Sequence, residues 1–221
     1  MLPRVLETEV MDTAEEAQDY DAMDHSMVND LFVRDFLATG ADVSEVLDVG
    51  TGTAQIPIRL GQLAPAAHVT AVDLAEHMLA KGRANVAAAG LADRIALVKV
   101  DAKRLPYADG QFSAVISNSI IHHIPEPLQA LREMRRVTRA GGVLFVRDLL
   151  RPTSLAELRR LVDTYAAGAN PHQRELFGAS LHAALSLDEI RDLATQIGLR
   201  PDDVRATSDR HWTLSARLGA N

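Results

Sequence analysis

Apolar positions in this chain fall into two patterns. Val46-Leu47-Asp48-Val49, Val69-Thr70-Ala71-Val72, Ile95–Val100, Phe112–Ser117 and Val143–Val146 are short runs, nearly continuous in apolar residues. Elsewhere apolar residues recur at helical spacing: Val28, Leu31, Phe32 and Phe36; Ile56, Leu60 and Leu63; Leu128, Leu131, Met134 and Val137. The first pattern predicts strands covered on both faces, the second amphipathic helices. Gly and Pro mark the boundaries. Gly40 is placed to end the first long helix, and Pro57 sits near the first turn of the next. A helix from about Ala75 to Ala89 stops at Gly90; another is expected to open at Pro125 and to end at Gly141-Gly142.

Residues 153–197 read mostly as helix, and Ser186-Leu187-Asp188-Glu189 resembles a capping box. Closing strands are expected near Asp203–Thr207 and His211–Arg217. Residues 1–23 are acidic and irregular, with a short helix around Ala14–Gln18. Strands alternating with helices predict βαβ units around a parallel sheet, hence an α/β fold. At 221 residues the chain suits one domain, with segments of about 1–40 and 153–182 as its cap.

Composition narrows the function classes. There is no cysteine, which excludes disulfides, thiol catalysis and cysteine-ligated zinc. The N-terminus lacks the basic and apolar regions of a signal peptide, and no apolar run approaches the ~20 residues of a membrane span. A cytoplasmic location is expected. The formal net charge is -7 and the pI about 5.6. Nucleic acid is therefore not expected as the main partner, because a phosphate backbone calls for a basic surface. A small molecule is the expected substrate.

The chemistry concentrates in Asp48-Val49-Gly50-Thr51-Gly52-Thr53-Ala54. A buried strand ends in a carboxylate and turns through two glycines into a helix. Ligands of open α/β sheets bind beyond the carboxyl ends of the strands. Asp73 ends the second strand and Asp101 the third, so three carboxylates are expected at one edge. Asp73 lies a little over twenty residues past the glycines, a spacing that suits ribose hydroxyls. A dinucleotide site would need Gly where Gln55 stands, and a P-loop would need Gly-Lys-Ser/Thr. Asp48 would repel a pyrophosphate but suits a cationic ligand such as a sulfonium amino acid.

These residues resemble the class I S-adenosylmethionine-dependent methyltransferases, of the small-molecule type near the ubiquinone and menaquinone methyltransferases. The likeness is tight from about Glu45 to Leu149. It implies a three-layer Rossmann-like fold with a mostly parallel seven-stranded sheet, order 3-2-1-4-5-7-6, and a helical cap. It also implies S-adenosylmethionine as cofactor and S-adenosylhomocysteine as product. Asp48, Gly50, Thr51 and Gly52 would lie at the cofactor's amino acid end. Asp73 would hold its ribose, Leu74 and Met78 would meet the adenosine, and Asp101-Ala102 the adenine. Asn118, in Ser117-Asn118-Ser119, would face the amino acid end. Tyr20 and His123 complete the cofactor candidates.

Methyl transfer needs alignment and water exclusion, and a base only where the acceptor arrives protonated. Candidates beside the acceptor are His122 and His123, after the fourth strand, and Arg147 and Asp148, at the end of the fifth. A histidine can take a proton near neutral pH, and an arginine can hold a carboxylate or phosphate. Arg147 and Asp148 could also simply pair with each other. His172 and His182 could meet the histidine pair across a pocket, but no metal site is expected, since ligand spacing such as HExxH is missing. The expected reaction is direct in-line displacement onto an unidentified small molecule. The alternatives are an RNA or protein methyltransferase, favoured only by Arg132, Arg135, Arg136 and Arg139 at helical spacing, and a noncatalytic adenosylmethionine-binding module.

Overall fold

Register between strands decides where the chemistry lies. The computed structural model describes residues 2–7, 12–22 and 25–219; the parts of the irregular N-terminal reading that fall on residues 1, 8–11 and 23 lie outside them. The elements run α1 (Ala14–Ala22), α2 (Ser26–Ala38), β1 (Val46–Val49), α3 (Gln55–Leu63), β2 (Val69–Asp73), α4 (Glu76–Ala88), β3 (Ile95–Lys99), β4 (Phe112–Asn118), α5 (Pro127–Val137), β5 (Thr138–Leu149), α6 (Leu155–Tyr165), α7 (Pro171–Ala183), α8 (Leu187–Gln196), β6 (Val204–Ala206) and β7 (His211–Arg217). A single 3-10 turn, Ile121–His123, separates β4 from α5.

The strands form one sheet in the order β3-β2-β1-β4-β5-β7-β6, as expected. β1 pairs in parallel with β2 and with β4, β2 pairs in parallel with β3, and β6 pairs antiparallel with β7. Burial explains the continuous apolar runs: all four residues of β1 and the first six of β4 are inaccessible to solvent.

Two compact units are distinguished. One comprises residues 10–118, 129–146 and 215–221. Its core packs Phe32 and Phe36 of α2 against Phe145 of β5, with ring centroids 5.2 and 5.9 Å apart. The buried face of α2 is Phe32, Val33 and Phe36, narrower than the expected stripe, because Val28 and Leu31 stay 38% and 55% exposed.

The other unit comprises residues 1–9, 119–128 and 147–214. Leu149, Leu161, Leu181 and Ala184 form its apolar centre. Its helices are fixed by their caps. Asn170 and Gln173 form a capping box on α7, and Ser186 and Glu189 form the expected one on α8.

The helix expected from Pro125 to Gly141-Gly142 is shorter at both ends. Pro127 follows Glu126, and a residue before proline is driven away from helical geometry, so α5 cannot reach back to Pro125. At its other end the Gly110 N–H takes the Arg136 carbonyl at 2.9 Å, and the Gly141 N–H already pairs with the Leu218 carbonyl at 2.9 Å. Residues 138–142 are therefore sheet.

Candidate active site

The glycine loop is held from below by β2. Gly50 and Thr51 donate their N–H groups to the Val72 carbonyl at 2.8 and 2.9 Å. Gly50 and Gly52 have φ of +77° and +54°, where a side chain would strain the backbone. Asp73 does the remaining work. Its Oδ2 accepts the Gly52 N–H at 2.7 Å, and its Oδ1 accepts the Ala75 N–H at 2.9 Å at the start of α4. One carboxylate thus links the loop to the next helix.

Asp48 lies one strand away and is only 1% exposed. Its Oδ2 is buried with no hydrogen-bond partner among the described residues. Burial pushes its pKa up to about 7; nearby Thr51 opposes the rise and the charge of Asp73 adds to it. Register aligns Asp48 with Ala71, and Asp73 with Lys99. Asp101 follows β3 by two residues, so all three acidic residues stand at the carboxyl edge of adjacent strands. Their settings differ. Asp101 is a turn residue, with Oδ1 accepting the Lys103 N–H at 2.9 Å and its side chain 40% exposed. Ala102 shares that turn and is half-buried.

Tyr20 of α1 reaches the loop: a Cβ built on Gly52 would stand 3.8 Å from its ring. Met78 is buried with Ala17 and Ala75 in a small apolar cluster, and Leu74 beside it is half-buried. Asn118 ends β4, where the preceding Ser117 hydroxyl donates to the Val49 carbonyl at 2.8 Å.

The unit containing residues 119–128 holds the acceptor candidates. Nδ1 of His122 lies 2.6 Å from Oδ1 of Asp148. Oδ2 of Asp148 also accepts the backbone N–H groups of Ile121, at 2.5 Å, and of His122, at 3.3 Å. Burial favours a neutral His122 ring, but the charge and hydrogen bond of Asp148 outweigh it and hold the pKa above its usual value. The alternative in which Arg147 and Asp148 simply pair with each other is not what the fold makes, since adjacent strand residues point to opposite faces. Asp148 takes His122, while the Nε of Arg147 donates to Thr213 Oγ1 at 2.9 Å. The His123 ring lies against that of His122, tilted by 40° with centroids 4.0 Å apart, and its Nδ1 lies 3.0 Å from Glu7 Oε2. His172 and His182 lie on α7, and the group formed around the histidine pair is instead Glu7, His122 and His123.

Three further residues have no motif to reveal them. Asp21 of α1 accepts from Asn85 Nδ2 at 2.8 Å and from Gln55 Nε2 at 3.3 Å, tying three helices beside the loop. Arg4 and Glu7 reach the histidine turn from more than a hundred residues away in sequence. Of the arginine stripe, Arg132 and Arg135 stay exposed on α5, while the other two arginines are engaged. Arg139 belongs to β5 and pairs with Asp42, and Arg136 is committed to Glu133, Asp109 and the carbonyls of Leu105 and Tyr107.

Residues 47–146 match the family model described as a methyltransferase domain. This stretch of the chain is similar to methyltransferase domains. The ubiquinone/menaquinone biosynthesis C-methyltransferase UbiE of Roseobacter denitrificans is 36% identical to it over 137 residues, covering 62% of this chain and 54% of that protein. The chain thus spans about half the length of this relative. Among solved structures, a SAM-dependent methyltransferase from Aquifex aeolicus superposes with a TM-score of 0.65 at 18% identity, covering 94% of this chain and 100% of that one. Magnesium protoporphyrin IX methyltransferase from Synechocystis, solved with bound SAH, gives 0.63 at 18% identity, covering 88% and 84%. These two similarities establish the fold. No helix among the described residues is long and apolar enough to cross a membrane.

Proposed function

We propose that the chain is a cytoplasmic S-adenosylmethionine-dependent methyltransferase acting on a small molecule that gives up a proton as it is methylated. The observation that carries this reading is the buried Asp48 carboxylate, with one oxygen unpartnered, beside a glycine turn fastened to Asp73. A buried carboxylate without a partner is costly, and a cationic amino acid group would offset that cost. The residues present therefore fit the cofactor. Asp48 would hold its ammonium group, Gly50, Thr51 and Gly52 would bring backbone close to it, and Asp73 would take the ribose hydroxyls on its remaining lone pairs. Leu74, Met78 and Tyr20 would supply apolar and aromatic contact, Asp101 and Ala102 the edge facing adenine, and Asn118 the amino acid end.

When bound, S-adenosylmethionine supplies an electrophilic methyl group on a sulfonium. His122 does the acid–base work. Asp148 accepts from Nδ1–H and so fixes the tautomer in which Nε2 is the nitrogen that would take the acceptor's proton. Such a positioned base contributes roughly 10²–10⁴-fold. His123 supports the ring of His122, and Arg147 sets the end of β5 that bears Asp148.

Titration calorimetry with S-adenosylhomocysteine tests the cofactor half: micromolar-range binding is expected, strongly weakened by Asp73→Ala. No heat with the folded wild-type chain would overturn the reading. Mass spectrometry of small molecules released on denaturation, followed by transfer assays with labelled S-adenosylmethionine, identifies the acceptor.

A further inference from the structure

The carbonyls at the end of a short helical turn lack partners within the turn. After the turn Ile121–His123 they find one in Arg4. Its Nη2 donates to the carbonyls of His122 at 3.1 Å and Ile124 at 3.0 Å, its Nη1 to that of Pro125 at 3.1 Å, and its Nε to that of Ala183, the last residue of α7, at 2.7 Å. A guanidinium has five donors in a planar fork, and here the fork spans the whole turn. Val5 adds a backbone bond to the His182 carbonyl at 3.2 Å. Three residues beyond Arg4, Glu7 places Oε2 3.0 Å from Nδ1 of His123. Each histidine of the pair therefore has its own carboxylate, Asp148 for His122 and Glu7 for His123.

We propose that residues 2–7 form a strap that completes the acid–base site, in which Arg4 fastens the His122–Pro125 turn and Glu7 is a positioning residue holding His123 against His122. This rests on His122 being the proton acceptor. The strap acts in two ways. It ties the His123 ring, which lies against His122, to a carboxylate other than Asp148. It also adds a second negative charge near His122, which favours the imidazolium formed when a proton is taken. The described groups that bear on His122 are Asp148 from β5, Glu7 and Arg4 from the strap, and His123 on its own turn.

Nitrogen-15 NMR titration of the His122 ring in the full chain tests the strap without any acceptor. Glu7→Gln keeps a hydrogen-bonding side chain and removes the charge. The His122 midpoint should fall by about one unit. Arg4→Gln gives opposite signs for opposite roles. If Arg4 fastens the strap, its loss frees Glu7 and the midpoint falls; if Arg4 acts only through its own positive charge, the midpoint rises. Arg4→Lys, which keeps the charge but not the fork, should also lower it and serves where Arg4→Gln does not fold. An unchanged midpoint in Glu7→Gln, or a rise in Arg4→Gln, overturns the strap. Failure of the methyl-transfer reading is distinguishable, since it leaves these midpoints as stated and shows instead as no transfer to any acceptor.

Discussion

Nδ1 of His122 and Oδ1 of Asp148 stand 2.6 Å apart, with both side chains almost wholly buried. The carboxylate also receives the backbone N–H groups of Ile121 and Leu149, both at 2.5 Å. A charge held by so many donors keeps its geometry while the ring beside it changes protonation state. Asp148→Asn should therefore lower methyl transfer to the identified acceptor by about 10²-fold or more while leaving S-adenosylhomocysteine affinity unchanged. The pH–rate profile checks the cause. His122 has a raised pKa, so wild-type activity should climb with pH through a midpoint above about 6.5, and that midpoint should move down in Asp148→Asn.

The same pair has a stability signature. A raised histidine pKa contributes fully below the unfolded value and is lost as pH rises through the folded one. Urea unfolding of wild type and His122→Gln should therefore differ most near pH 6 and converge as pH rises above the folded midpoint.

Asp48 predicts a second pH dependence, in binding. With its pKa pushed up to about 7, half the carboxylate is protonated at neutral pH. A ligand ammonium needs the charged form. Affinity for S-adenosylhomocysteine should fall by about tenfold per pH unit below 7 and level off above it. Asp48→Asn should bind weakly with a flat profile between pH 5.5 and 8, measured by calorimetry.

Gly142 marks a close approach of backbone to backbone. A Cβ there would stand 2.7 Å from the Ser113 carbonyl oxygen and 2.9 Å from that of Arg139. Neither can rotate away as a side chain would. Gly142→Ala should cost about 1–3 kcal/mol by overpacking, read as a lower urea midpoint with an unchanged slope.

Arg136 is bound inside its own unit. Besides Glu133 at 2.8 Å it holds the carbonyls of Leu105 and Tyr107 at 2.9 and 2.8 Å. Arg136→Ala should lower thermal stability by about 1–3 kcal/mol, because polar groups it satisfies lose their partner. RNA gel shifts at low salt should not differ between the variant and wild type. A shift abolished by the substitution would restore the nucleic-acid reading.

Much was legible in the chain before any coordinates. Periodicity alone separates β1, β2 and β4 from the helices between them, because strands covered on both faces must be apolar throughout; β3 is as apolar but is not so covered, since it is the edge strand and only Ile95 of it is buried. The glycine turn and the carboxylates of Asp48 and Asp73 follow from local rules, since positive φ and strand ends leave marks in adjacent residues. The C-terminal boundary of α5 does not follow, because it is decided by pairing of Gly141 with Leu218, 77 residues further along the chain.

What only the tertiary structure decided is which side chains meet. Asp148 could be named as a candidate, but its partner is His122 rather than its neighbour Arg147, since alternation along a strand sends neighbours to opposite faces. Arg4 and Glu7 carried no local signal at all, because a lone charge becomes a clamp or a positioning group only when distant carbonyls and a ring are folded against it. Sequence determines periodicity and local turn chemistry; long-range pairing depends on the three-dimensional closure of the sheet, which no short window of residues contains.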